Sequence, residues 1–163
     1  MASRDVLIIG IIIFTLAVTF FVSHFAFTMI QTKLLLTAEV NQSTVAKEMV
    51  ENMSNVTSRM DFVIMGAFIG YIIFLLISSW FIGGHPIFMA VHFIFMVVTI
   101  IVGAVLSNVW ESVVTNGTFG VTLAAFPKTN YLMTNLPVLM AVLGFIGLVV
   151  MFGKPYLSQS GGY

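Results

Sequence analysis

The sequence predicts an all-α fold: a polytopic bundle of four transmembrane helices, with an amphipathic helical segment outside the membrane between spans one and two. Three observations lead there. Of 163 residues, 60% are hydrophobic and only 7% are charged, whereas an ordinary soluble domain is roughly 25% charged. A soluble domain of this size could not hide that much apolar surface, because small domains bury only part of what they expose. Four stretches approach the ~20 apolar residues that carry a helix across the hydrocarbon, and the charged residues fall between those stretches or near the termini.

The first span runs from about 6 to 30, after Arg4 and Asp5 and before Lys33. It is too long for the ~7–15-residue apolar region of a signal peptide, so it reads as a retained span. The second, 62–82, opens after Asp61, a residue type that caps helix N-termini. The third, 87–106, follows Gly83-Gly84-His85-Pro86. Two glycines and a proline mark a tight turn, which predicts that spans two and three are neighbouring antiparallel helices. The fourth, 136–152, has Asn135 as a cap candidate and Pro137 in its first turn. Gly153-Lys154-Pro155 then reads as a stop.

The connection 31–61 carries Glu39, Lys47, Glu48, Glu51 and Arg59, so it stays out of lipid. Val45, Met49, Met53, Val56 and Met60 are spaced 4, 4, 3 and 4, which is a helical stripe. Such a helix either lies flat at the interface or extends the spans into water as a stalk. Its mixed charge and lack of a Trp/Lys/Arg pattern favour the extension. The connection 107–135 mixes Val, Phe and Leu with Thr, Asn and Gly, and its Gly120-Val121-Thr122-Leu123 stretch admits a strand. Trp80 and Trp110 fit headgroup-level anchors. Glu111 could meet Lys128 across the loop.

Four spans put loops 31–61 and 107–135 on one side and both termini on the other. Lys33, Lys47, Arg59 and Lys128 on the loop side outnumber Arg4 and Lys154, which favours cytoplasmic loops. The sequons at Asn41, Asn52, Asn55 and Asn116 lie in the same loops and would be usable only on the opposite side of the membrane. Both orientations stand.

Composition excludes several functions. The net charge is zero, so no basic surface neutralises nucleic-acid phosphates. There are no cysteines, so thiolate metal sites and Cys nucleophiles are absent. No phosphate loop, nucleophile elbow, HExxH helix or EF-hand is present. The carboxylates lie at span ends or in loops, where no water-excluded site recruits them for acid–base work. The expectation is therefore a non-enzyme with no catalytic residues, metal or cofactor. Two axial histidines could hold a haem, but topology puts His24 near the loop side and His92 near the terminus side.

Two residue sets remain. Thr15, Thr19 and Ser23 are four apart on one face of span one, with His24 and Thr28 beside them. They fit either a polar line along a pore or hydroxyls bonded within and between helices. Gly66 and Gly70, Gly103 and Ser107, and Gly144 and Gly147 give three spans small faces suited to close helix packing. Met49, Met53, Val56 and Met60 are the candidate partner contacts.

The stretch from His85-Pro86-Ile87-Phe88 to Leu106-Ser107-Asn108-Val109-Trp110-Glu111 resembles small multi-span proteins of viruses and phages with an internal membrane. It is a short loop, a span and an Asn/aromatic/Glu exit, about 27 of the 163 residues. The resemblance implies a structural virion protein that holds the membrane to capsid or vertex, with no catalytic residues to carry over. The expected role is a noncatalytic structural or assembly subunit of a membrane-associated complex. Its expected partners are the lipid bilayer and other membrane or capsid-like subunits, with self-association among the options. The rival is a small channel, holin-like pore or transporter accessory.

Overall fold

The computed structural model describes residues 2–81 and 86–159, and all regular structure among them is helical. The Gly83-Gly84-His85 turn lies outside the described residues. Helix α1 spans Ala2–Leu35. Two shorter helices follow, α2 (Ala38–Gln42) and α3 (Thr44–Ser58), with the Ser43 hydroxyl accepting from the Ala46 amide as the α3 N-cap.

Only Arg59 separates α3 from α4 (Met60–Phe81), and it stays right-handed helical at φ −77°, ψ −9°. Thr44–Phe81 is thus one helical run of 38 residues, about 57 Å long at 1.5 Å per residue. That is well beyond the ~30 Å of hydrocarbon. The connection between spans one and two is an extension of α4 that packs back along α1.

Helix α5 covers Pro86–Val114 and continues two turns past the expected end of span three. A 3-10 turn at Gly117–Phe119 leads into α6 (Gly120–Ala125) and α7 (Pro127–Thr134). The stretch that admitted a strand is therefore helical. Helix α8 covers Leu136–Gln159 and passes through the expected stop at Gly153-Lys154-Pro155. Proline removes one amide donor and disfavours helix for its predecessor, but forbids neither.

Among the described residues four helices are long and apolar enough to cross a membrane, as a multi-pass membrane protein requires. They form a four-cornered bundle. α1 touches α4 and α5, and α8 touches the same two. Among the described residues α4 and α5, expected to be neighbours, have no substantial contact and take opposite corners.

The interior is built from Ile13, Ala17 and Phe21 of α1, Ile64, Phe68, Tyr71 and Leu75 of α4, and Met140 and Leu143 of α8. α5 contributes Trp110 at one end and, along the rest of its inner face, the smaller and more polar His92, Thr99 and Ser107. That small face lets α8 come close, and the Ser107 hydroxyl ties α5 to the end of α7 by donating to the Thr134 carbonyl at 2.9 Å.

Candidate functional site

The two long connections meet at one end of the bundle, and Asp61 joins them. It lies in the first turn of α4 and is only 2% exposed. Its expected role as a cap of its own helix is not the one it plays. Oδ1 accepts from the Thr129 amide at 2.8 Å and the Thr129 hydroxyl at 2.8 Å, and Oδ2 accepts from the Lys128 amide at 3.2 Å. Asp61 therefore caps the N-terminus of α7, where Pro127 takes a position whose missing N–H costs nothing. The carboxylate also complements the positive end of the α7 dipole.

Lys128, half exposed, reaches Asp61 Oδ2 at 3.6 Å. Its ammonium also sits 3.8 Å from the centroid of Phe62. Lys128 thus pairs with Asp61 and not with Glu111, because the fold brings α4 beneath α7. Asn135 does not cap α8 with its side chain. Its amide donates to the Tyr131 carbonyl at 2.8 Å, closing the end of α7.

Beside this latch lies an aromatic cluster. Phe21 packs edge-on against Trp110 at 5.1 Å and Phe126 at 5.8 Å, and Phe119 lies over both Phe21 and Phe25. Trp110 is completely buried, and its indole N–H donates to Asn130 Oδ1 at 3.0 Å. It does not anchor the chain at the headgroups. It pins α7 to α5, which satisfies the one polar atom a buried indole carries. Trp80 is the exposed tryptophan.

On α1 the three hydroxyl residues share the outer face, and His24 parts from them. Thr15, Thr19 and Ser23 face outward, and the Thr15 hydroxyl bonds back to the Ile11 carbonyl at 2.9 Å. Thr28 does the same to His24 at 2.8 Å, the usual resolution for hydroxyls in apolar helices. His24 points the other way, 7% exposed, edge-on to Phe126 at 5.3 Å, with Nδ1 unpartnered among the described residues. His92 Nε2 lies 3.3 Å from the Gly144 carbonyl, in the middle of α8. The two histidines face different layers of the bundle and do not converge. Among the described residues no cluster of His, Cys, Asp or Glu could hold a metal.

The small residues divide into two groups. A Cβ on Gly144 would meet Met96 Cγ at 2.6 Å, and one on Gly147 would meet Ser79 Oγ at 3.2 Å and Leu75 Cδ2 at 3.3 Å. A Cβ on Gly103 would lie 3.4 Å from the Pro137 backbone. These three, with Ser107, are contacts inside the bundle. Gly66 and Gly70 have nothing within 4 Å and open onto the outer surface. Gly144→Leu should therefore cost about 1–3 kcal/mol by overpacking. Gly66→Ala and Gly70→Ala should leave the bundle unchanged or gain up to ~1 kcal/mol of helix propensity. Thermal unfolding of the monomer in detergent reads the difference, and equal losses at Gly144 and Gly70 would contradict the division.

The interior cavities are the size of one water. One lies among Leu75, His92, Thr99, Met140 and Gly144, at about 10 Å³. A cleft of about 340 Å³ opens outward between α1 and α6, lined by Phe25, Thr28, Lys33, Thr118, Val121 and Thr122. Beyond the span, α3 presents Met49, Met53 and Val56 at 66%, 57% and 62% exposure. Met60, the last of the stripe, is partly buried against the core. No family model matches the chain, nor does any curated protein or solved structure.

Proposed function

We propose that the chain is a noncatalytic structural or assembly subunit of a larger membrane-associated complex, with a virion membrane the setting that the resemblance implies. The observation that carries this reading is the α3 stripe. Met49, Met53 and Val56 belong to a helix that continues beyond the apolar span, yet all three point away from their own protein. Apolar side chains aligned on an extramembrane helix mark a surface meant to be covered. The tight end of the bundle supports the same role. α3 packs on α1 and α4 just beyond a capped and aromatic-sealed base, as a scaffold requires.

The pore reading needs a wet path through the bundle, and the three hydroxyl residues offered for it face outward, with the Thr15 hydroxyl bonded to its own backbone. Liposomes containing the purified chain should leak ions no faster than empty ones, while Met53→Glu should release the complex that forms around the wild-type chain in mild detergent without lowering its Tm. Ion flux that disappears with Thr19→Leu would overturn the scaffold reading in favour of the channel.

A further inference from the structure

The partner surface is longer than α3. Met49, Met53 and Val56 recur at 4 and 3 residues, and the same rhythm continues through Met60 and Val63 into the membrane at Ala67, Gly70 and Phe74. Arg59 keeps the backbone right-handed helical, so the phase is carried across the junction. Apart from the partly buried Met60, these positions are exposed, and above Gly70 there is open space. One uncharged stripe thus runs along a single helix from the aqueous segment into the span. A seven-residue repeat of this kind is the seam of a two-helix coil, and small residues at its middle let two backbones approach in lipid.

Lipid can cover the membrane half of such a stripe, and a soluble partner the other half. A second helix of the same length, passing through both phases in the same direction, covers both. Copies inserted by one route share one orientation, so a twofold axis between them lies along the membrane normal and the two helices run parallel. Each stripe residue then meets its own counterpart. Nothing on the seam itself is charged, the flanking Asn52 and Thr57 are neutral, and Lys47 and Glu51 lie on the far side of the helix. Arg59, one repeat after Asn52, is the one charge on the flank, and in a parallel pair that position faces the uncharged Ile64 side of the other copy rather than its own counterpart. Val45 before the stripe and Ile77 and Phe81 after it are exposed in the same rhythm, so the stripe runs about 55 Å, and at ~10 Å wide the helix footprint gives roughly 1,100 Å² over two copies, against the ~1,000 Å² expected of a specific interface.

We propose that the chain pairs with a second copy of itself through a parallel two-helix seam running along α3 and α4. This rests on the scaffold reading only in taking the α3 stripe as a partner surface.

The chain has no cysteine, so an introduced one reports alone. In native membranes opened by freeze–thaw, Val56→Cys and Ala67→Cys should form disulfide dimers under mild oxidant, since seam Cβ atoms fall within disulfide reach. Glu51→Cys, on the far side, should yield at least tenfold less. Equal dimer from all three would mean random collision and overturn the seam. Val56→Cys that forms no dimer, yet is shielded from maleimide until the chain is purified, would also overturn it. That result would assign the stripe to a different protein and leave the scaffold reading standing. Val56→Cys that neither dimerises nor is shielded would remove both readings.

Discussion

Trp110→Ala should destabilise the bundle by about 3–5 kcal/mol, the range for deleting a large aromatic from a closed site. Trp110 is wholly buried, packs against Phe21 and bonds to Asn130. Its removal leaves a cavity beneath α7 and strips Asn130 of its donor. Lipid tails cannot enter that cavity to compensate, since Phe21, Phe119 and Phe126 form one continuous cluster around it. Trp110→Phe keeps most of the packing and loses mainly the hydrogen bond, worth about 1 kcal/mol. Unfolding in detergent by heat or SDS measures the series. In a Trp80→Phe background the remaining tryptophan emission should be blue-shifted and should move to the red at the same midpoint. If Trp110→Ala melts with the wild type, the cluster does not hold the end of the bundle together.

Asp61→Ala should cost about 2–3 kcal/mol, chiefly from charge-assisted hydrogen bonds. Three donors lose their acceptor: two α7 amides and the Thr129 hydroxyl. The ion pair with Lys128 contributes little to that sum, because the lysine side chain is 38% exposed and half-solvated pairs are worth up to ~1 kcal/mol. Lys128→Ala should therefore be the mild variant, with Asp61→Asn between the two. Hydrogen exchange at the Lys128 and Thr129 amides should accelerate in Asp61→Ala and stay slow in Lys128→Ala. Equal losses from the two alanine variants would make the ion pair, and not the cap, the source of stability.

The contrast between these residues shows what sequence reasoning reaches. The four spans were legible, because about 20 consecutive apolar residues have few other uses. The inward face of each span was not. In lipid, both sides of a helix are apolar, so hydropathy cannot distinguish Ile64, which is buried, from Val63, which is exposed. Spacing rules met the same limit. Gly66 and Gly70 carry the same pattern as Gly103 and Ser107, yet only the second pair packs inside the bundle. The α3 stripe was legible because charged and polar residues surround it along the helix, and among them an apolar row stands out.

Capping rules failed for a different reason. They look three residues along the chain, while Asp61 serves an α7 amide 68 positions away. The expectation for Trp110 failed because its place just after an apolar run matches an interfacial anchor, and only the return of α6 and α7 over the bundle buries it. The polar line on α1 was a correct observation about spacing. The hydroxyls of Thr15 and Thr28 bond to the preceding turn, a local use that spacing alone does not distinguish from a line.

The Asp61–Thr129 contact also sets an order of events during synthesis. The carboxylate leaves the ribosome roughly seventy residues before the amides it will hold, at several to twenty residues per second. For those seconds α4 must keep an ionised group at the lipid boundary, hydrated and uncommitted, while α5 is inserted. The chain therefore passes through a stage with its first three helices placed and its base unsealed, and the arrival of α7 closes it. A quality-control protease or an assembly factor that recognises the open base would act within that interval, before the last helix has entered the bilayer.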